Sequence, residues 1–312
     1  MRIVFADSTT GRVDGAQAGG STMPESVVGS TVPRRQLGRE LRRLREHEAR
    51  IPQVDAARAL EWSVTKLWRL EGGELAVRAL DVKAMCELYG ADEQTTTALT
   101  AIAPHTKSKG WWHDYSEIPP WFELFIGLEE AASKLREYHT DLVSGVLQTR
   151  EYATAVFTRS VLKLSSEEIE RRVAVRMSRA RLLTRLDPQA PVFDVMLDEA
   201  VIRRPVGSGA VMAGQLRRLA EASELPNVSI RLLPFSAGIH GATMVGGFTI
   251  MDFPKRHEPT TIYVEGLTGA LYLDKPAEAA RYTLAFEDLT ASALDEAASR
   301  DVFVRTAREY ES

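Results

Sequence analysis

Residues 53–71 constrain the fold of this chain more than any other segment, because two helical patterns follow one another there with almost no connecting residues. The first pattern ends at Leu60 and the second begins at Ser63. Two helices joined by so short a turn must cross at roughly 90–120°, and their close approach requires a small side chain in the first helix. Ala57 supplies that small side chain, and Ser63 is a good N-cap for the second helix. The spacing therefore predicts a helix-turn-helix.

The second helix of this pair is expected to present a mixed outward face. Leu67 and Leu70 are three residues apart and face the core. The side chains left to point outward are those of Val64, Thr65, Lys66, Trp68 and Arg69. The major groove of DNA accepts such a face at the N-terminal part of a helix. Two alternatives stay open: Trp68 could pack against the first helix of the domain, and Val64 could either touch a thymine methyl group or pack.

The charge of the chain is unevenly distributed. The whole sequence has a net charge of −4, whereas residues 33–72 hold ten Arg or Lys and six Asp or Glu, a local net charge of +4. A basic module attached to an acidic remainder is typical of phosphate binding. An arginine-rich, solvated helix face explains the same charges, so charge alone leaves both interpretations open.

The first part of the chain is predicted to form one small all-α domain. Residues 1–33 are rich in Gly, Ser and Thr without a lasting period, and we expect a disordered arm in which either Met1 or Met23 is the start. Five short helical patterns then fill residues 34–103. The polar residues 104–110 are expected to be a linker.

The second part of the chain, residues 111–306, is predicted to be a mixed α+β domain. It opens with an aromatic cluster between residues 111 and 125, which suits a domain core or an interdomain seam, or else a ligand pocket. Helices are expected near 127–138, 149–159, 165–185, 209–224 and 276–296, and at the C-terminus, the third of them behind a capping box. Runs rich in Val, Ile and Phe predict strands at 192–197, 228–233, 247–252 and 260–264.

The segment 53–71 resembles the xenobiotic-response-element type of helix-turn-helix, which phage repressors share. The positions that match are Gln53, Ala57, Leu60, Trp62, Ser63, Leu67, Leu70 and Glu71. The chain departs at Pro52, where that family usually has Ser or Thr, and at Glu61, where it usually has Gly. Glu61 is therefore expected to adopt a backbone conformation that glycine adopts freely.

The remainder resembles the large C-terminal domain of the antitoxin-like transcriptional regulators of high-GC Gram-positive bacteria. The segments that carry this resemblance are residues 110–112, 142–149, 151–153, 198–200, 203–207, 225–228, 233–235, 246–248 and 263–265. With the helix-turn-helix, the resemblance covers roughly residues 34–306. It implies a transcriptional regulator whose gene sits beside that of a small partner protein, and it names neither a ligand nor a chemistry for the C-terminal domain.

Several function classes find no support in the residues. The sequence has no Gly-x-Ser-x-Gly elbow, phosphate loop or zinc motif, and its six histidines lack metal-ligand spacing, so we expect no enzyme, no metal and no other cofactor. Adjacent Asp198 and Glu199 do not face one site, whereas Arg203 and Arg204 could hold an anionic ligand or be ordinary surface arginines.

The compartment is predicted from two further features. No apolar run approaches the roughly 18 residues of a membrane span, so no membrane association is expected. The single cysteine, Cys86, cannot form an internal disulfide and is expected in the core of its helix. Both features favour a cytoplasmic protein.

These observations predict a sequence-specific transcriptional regulator that reads double-stranded DNA with residues 63–71. Arg69 is the leading candidate for base recognition, because a guanidinium can form two hydrogen bonds with guanine, and Thr65 is the second. Gln53 is expected to hold a phosphate from the start of the preceding helix. Further phosphate contacts are expected from Lys66, Arg42 and Arg43.

A homodimer is expected, because one recognition helix reads only a few base pairs. The C-terminal domain would then hold the dimer together and respond to a small ligand or to a small protein encoded nearby. The alternative is an antitoxin-like interaction module that neutralises a small partner protein and uses DNA binding only to regulate its own operon.

Overall fold

A computed structural model describes residues 30–115, 118–254 and 258–312. By their contacts these residues divide into two compact units. The helical unit holds the described residues within 30–132 and 253–258, and the α/β unit holds those within 133–252 and 259–312. Most of the arm predicted at residues 1–33 lies outside the described residues, and its end at Thr31 already begins the first helix.

Five helices build the helix-turn-helix part of the helical unit, as predicted. They are α1 Thr31–Arg43, α2 Gln53–Ala59, α3 Val64–Glu71, α4 Ala79–Tyr89 and α5 Glu93–Ile102. A π-helical segment, Leu44–Ala49, extends α1. The apolar residues of α1 recur at helical spacing, so that Leu37, Leu41 and Leu44 all lie in one core with residues of α2 to α5. Cys86 of α4 is buried in the same core, where burial raises the pKa of its thiol.

The helical unit continues beyond α5. Two 3-10 turns, Ala103–Lys107 and Trp111–Asp114, precede α6, Pro120–Ala131. Residues 104–110, predicted as a linker, therefore include most of a helical turn, and the aromatic residues that follow belong to the helical unit by their contacts. Thr106 fastens the first turn, since its Oγ1 donates to the Ala103 carbonyl at 2.7 Å and accepts from the Val77 amide at 3.1 Å.

One mixed six-stranded sheet forms the centre of the described α/β unit. Its strands are β1 Lys134–His139, β2 Val192–Asp198, β3 Val228–Leu233, β4 Phe248–Asp252, β5 Thr261–Gly266 and β6 Gly269–Leu273. Their order in the sheet is β3-β2-β1-β4-β5-β6. Strands β1, β2 and β3 are parallel, whereas the pairs β1–β4, β4–β5 and β5–β6 are antiparallel. Central β1 places Leu135 between Phe193 of β2 and Met251 of β4.

Helices cover this sheet. They are α7 Arg150–Thr158, α8 Ser166–Arg179, α9 Glu199–Arg203, α10 Gly209–Ala222, α11 Pro276–Ser292 and α12 Glu296–Glu309. The predicted capping box opens α8, because the amide of Glu168 donates to Ser165 Oγ and the amide of Ser165 donates to the Glu168 carboxylate. Phe286 and Leu289 of α11 share an apolar cluster with Ile250 and Ile262 of the sheet. The predicted mixed α+β class is thus confirmed.

One predicted helix was wrong, and the strands β1 and β6 were not predicted. Residues 127–138 are not one helix: α6 ends at Ala131, and the chain then enters β1. The sequence also failed to show β6, a five-residue strand at the edge of the sheet. The four predicted strands are all present, as β2 to β5. Within the described residues, no helix combines the length and the apolar character that crossing a bilayer requires.

Candidate nucleic-acid interface

The turn between α2 and α3 has the geometry that the sequence predicted. Ala57 is almost fully buried in α2. Its carbonyl accepts a hydrogen bond of 2.8 Å from the Trp62 amide, which reverses the chain direction. Glu61 has a φ angle of 56°, in the left-handed region that glycine usually fills. Ser63 then caps α3 by accepting from the Lys66 amide at 3.1 Å.

A close contact behind α3 fixes its orientation. Gly38 of α1 lies against the end of α3, and a Cβ atom added there would lie only 2.5 Å from the Leu70 carbonyl oxygen. Any side chain at this position would push α1 away from α3. The sequence pattern indicated the small residue in α2, whereas this second one in α1 was not predicted.

The outward face of α3 has the composition that the sequence predicted. Leu67 and Leu70 are 0% and 3% exposed and point into the core. Thr65 is exposed, and the two large apolar residues of the face, Val64 and Trp68, are each 40% exposed. Trp68 therefore presents a large part of its ring to solvent, although packing against α1 was an open alternative.

The two basic residues of this face are held by neighbours. Arg69 Nε donates to a Glu74 carboxylate oxygen at 3.2 Å, and the arginine side chain is still 48% exposed. Lys66 Nζ lies 3.6 Å from the centre of the Trp62 ring, a cation–π contact. Both cationic groups thus have defined positions before any ligand binds.

A buried polar network joins the two ends of the helix-turn-helix. Arg45 donates to both carboxylate oxygens of Glu71, at 2.7 and 2.9 Å, and Gln53 Nε2 donates to the same carboxylate at 2.9 Å. The hydrogen bonds to Glu71 raise the pKa of the Arg45 guanidinium. Gln53, expected at a phosphate, therefore uses one of its amide hydrogens inside the protein. The signal for this network was an acidic residue at position 71, four residues after the inward-facing Leu67.

The two arginines of α1 that were expected at phosphates are exposed and ion-paired. Arg42 Nε lies 2.8 Å from Glu46, and Arg43 contacts Glu40 at 3.0 Å and Glu48 at 3.1 Å. Hydrogen bonds to Glu40 and then to Glu48 raise the pKa of Arg43. These side chains reach solvent, yet each shares its charge with a neighbouring carboxylate.

Other predicted sites are also placed by the structure. Arg203 pairs with Glu199 and Glu309, and Arg204 pairs with Asp141. In the part of the chain that the structure describes, no three His, Cys, Asp or Glu side chains come together in a way that could hold a metal ion.

Comparison with protein-family models gives two matches. A helix-turn-helix domain model matches residues 36–99, which contain the site described above and indicate a DNA-binding regulator. A second model, described as a domain of unknown function, DUF5753, matches residues 122–305, more than half of the 312-residue chain. No curated protein and no solved structure matches the chain. The chain therefore belongs to the DUF5753 family, with a helix-turn-helix domain preceding the family domain.

Proposed function

We propose that this protein is a sequence-specific transcriptional regulator that inserts α3 into the major groove of double-stranded DNA. The observation that carries the proposal is the division of α3 into two faces. Leu67 and Leu70 are buried, while Thr65, Trp68 and Arg69 are exposed on a helix whose first turn is capped by Ser63. A face of this kind offers hydrogen-bonding and apolar groups to base edges. The xenobiotic-response-element subtype of the domain is part of the same proposal.

Each side chain of the face has a role in this proposal. Arg69 would leave Glu74 and bind a guanine through two N–H donors. Thr65 is the second base-reading candidate. Val64 and Trp68 would contact thymine methyl groups or sugars, and Lys66 would neutralise a phosphate.

The remaining phosphate contacts come from outside α3. An amide group carries two N–H donors, so Gln53 keeps one for a phosphate while the other binds Glu71. Arg42 and Arg43 of α1 are exposed and would add electrostatic contacts. These contacts would set the position of the domain on DNA, whereas Arg69 and Thr65 would set the sequence that it prefers.

The direct test is an Arg69→Ala variant, assayed on a site selected from random DNA by the wild-type protein. We expect a loss of about 1–3 kcal/mol on the selected site and a much smaller loss on random DNA. Arg150→Ala is a matched control, because Arg150 is 49% exposed and paired with Glu170, much as Arg69 is with Glu74. Equal losses on both DNAs would make Arg69 a phosphate contact and not a base reader.

The proposed assembly is a homodimer that binds DNA in the cytoplasm and has no enzymatic activity. Two copies of α3 would read half-sites about 34 Å apart, or a multiple of that distance. A two-fold contact through the α/β unit is the simplest way to join two readers. Light scattering of the full chain, combined with footprinting, tests this. A monomer that protects a single half-site would contradict the dimer.

The antitoxin-like alternative is favoured by one feature of the α/β unit. The connection between β3 and β4 exposes three large apolar side chains, Phe235 at 60%, Ile239 at 92% and Met244 at 99%. Clustered exposed apolar residues often mark protein–protein contacts. Co-expression with the product of the adjacent gene tests this alternative. A stable complex would support the alternative if the double variant Ile239→Ser, Met244→Ser no longer forms it. Regulation of a promoter by this protein without any such complex would oppose the alternative.

A further inference from the structure

A recess lies between the sheet and α11 in the α/β unit. It encloses ≈ 60 Å³, and its wall includes Asp194 and Met196 of β2, Ser229 and Arg231 of β3, and Phe286 and Thr290 of α11. The strand register pairs Asp194 with Ser229 and Met196 with Arg231. The four strand side chains therefore share one face of the sheet, and Asp194 and Arg231 are diagonal neighbours on it.

The Arg231 guanidinium on this wall offers hydrogen-bond donors. Within the described residues, no group accepts a hydrogen bond from it. The nearest carboxylate oxygen, on Glu296, is 3.6 Å from Nη2, and this carboxylate already accepts a 2.6 Å hydrogen bond from Ser229. Arg231 is 33% exposed, so a small molecule in the recess can reach it. A guanidinium of this kind binds a carboxylate group through two parallel N–H donors.

The opposite charge lies on the neighbouring strand. Asp194 is 27% exposed and has Lys134 Nζ at 2.8 Å from one carboxylate oxygen, Oδ2. Among the described residues, no hydrogen bond is made to its second oxygen, Oδ1. Each of these charges already has a partner of opposite sign, Glu296 for Arg231 and Lys134 for Asp194, so the four groups together carry no net charge. A small molecule that carries an ammonium and a carboxylate group on one carbon atom has no net charge and can contact both residues.

We propose that this recess binds a small zwitterion, namely a free α-amino acid with a small side chain. The carboxylate of the ligand would bind Arg231, its ammonium group would bind Asp194, and the ring of Phe286 would contact its apolar part. A volume of ≈ 60 Å³ corresponds to about four to six water positions, and glycine and alanine have about that many heavy atoms. The recess is open to solvent on one side, so its volume favours small side chains and leaves longer ones partly outside it.

Binding at this site does not depend on DNA recognition. The bound amino acid could act as a signal that changes DNA affinity, and only that part of the inference rests on the proposed function. The two are therefore tested separately, and binding is measured first on the full chain without DNA.

The experiment is a ligand-observed NMR titration of the full chain with glycine and with L-alanine. Glycinamide, which lacks the carboxylate, and N-acetylglycine, which lacks the ammonium group, are the chemical controls. We expect saturable binding of both amino acids and at least about tenfold weaker binding of both controls, the loss typical of a charged hydrogen bond. L-Tryptophan should bind more weakly than glycine, because the recess is too small to hold its side chain.

Variants locate the binding. Arg231→Gln and Asp194→Asn should each weaken glycine binding by at least about tenfold. Arg305→Gln, an exposed arginine of α12 outside the recess, is the matched control and should bind as the wild type does. Circular dichroism and cooperative melting show whether each variant is folded. If only one of the two recess variants folds, that variant alone is enough to test the proposal. Absence of binding by the folded wild-type chain, equal binding of glycine and glycinamide, or unchanged binding by a folded recess variant would overturn the proposal.

Discussion

The Glu71 carboxylate is predicted to be the most sensitive single polar group of the helix-turn-helix. It accepts three hydrogen bonds, two from Arg45 and one from Gln53, and the side chains of Arg45 and Glu71 are only 7% and 2% exposed. Glu71→Ala removes both acceptor oxygens and with them three hydrogen bonds, and it leaves the buried guanidinium with only the Glu46 carboxylate and the Ile51 carbonyl as partners. Loss of one member of a buried ion pair costs about 3–5 kcal/mol.

The assay follows from the positions of the tryptophans. All five, at residues 62, 68, 111, 112 and 121, belong to the helical unit. Tryptophan fluorescence in urea therefore reports unfolding of that unit in the intact chain. With a urea dependence of about 2 kcal/mol per molar, a loss of about 4 kcal/mol lowers the transition midpoint by about 2 M.

Two further variants separate this argument from a general effect of mutation. Glu48→Ala removes an exposed partner of Arg43 and should cost only about 0–1 kcal/mol. The double variant Arg45→Met, Glu71→Leu replaces the buried pair by apolar side chains and should recover most of the loss. A midpoint for Glu71→Ala no lower than that for Glu48→Ala would refute the reasoning, because the network would then contribute no more than a surface pair.

Three other predictions use the same protein. The double variant Arg42→Ala, Arg43→Ala should make the plot of log DNA affinity against log salt concentration less steep, by the equivalent of up to about two phosphate contacts. An unchanged slope would show that these arginines of α1 do not contact DNA. Glu258 has a fully buried side chain bonded to Arg35 at 2.6 Å and Arg39 at 3.2 Å, so Glu258→Ala should lower the stability of the helical unit by about 3–5 kcal/mol in the same fluorescence assay. The Thr95 amide donates to Asp92 and holds the pKa of this capping carboxylate below its usual range. The stability that the cap contributes is therefore present above about pH 4 and is lost as the pH falls further. Urea titrations at acid pH should show this loss for the wild type and not for Asp92→Asn.

The sequence predicted the helix-turn-helix almost completely because its signals are local. A cap at Ser63, the inward-facing Leu67 and Leu70, and the small residue Ala57 each act within a few residues of the turn. The left-handed conformation of Glu61 was expected from the glycine that the resembling family has at this position of the turn, and the φ angle of 56° confirms it. Local rules were sufficient because the motif itself is a local structure.

The strand β1 was missed because its neighbours, and not its own residues, determine its conformation. Residues 127–138 include many good helix formers, and Glu137 gives the strand a charged residue at a buried position. Burial by itself raises the pKa of Glu137, but the contact with His139 at 2.8 Å and the charge of Arg179 act together with other neighbours to hold this pKa below its usual range. Central position in the sheet thus overrode local propensity.

The partners of the candidate DNA-contacting residues could not be predicted for a different reason. Gln53 and Glu71 are 18 residues apart, and their hydrogen bond exists only after α2 and α3 have crossed. Arg69 and Glu74 lie on either side of a helix end, where spacing rules for helix faces no longer apply. Residue types could indicate Gln53 and Arg69 as candidates for DNA contacts, whereas only the folded chain shows that carboxylates of Glu71 and Glu74 bind them.

These partners have a consequence for DNA recognition. Arg42, Arg43 and Arg69 are all paired with carboxylates in the free protein, so each proposed contact with DNA exchanges one ion pair for another. An exposed pair of this kind contributes only about 0.2–1 kcal/mol, which a phosphate or a guanine readily offsets. The carboxylates nevertheless reduce the local positive potential, and non-specific attraction to DNA is reduced with it. If the proposed contacts form, a domain built in this way would give up part of its general affinity for DNA, and Arg69 and Thr65 would account for a larger share of the discrimination between sites.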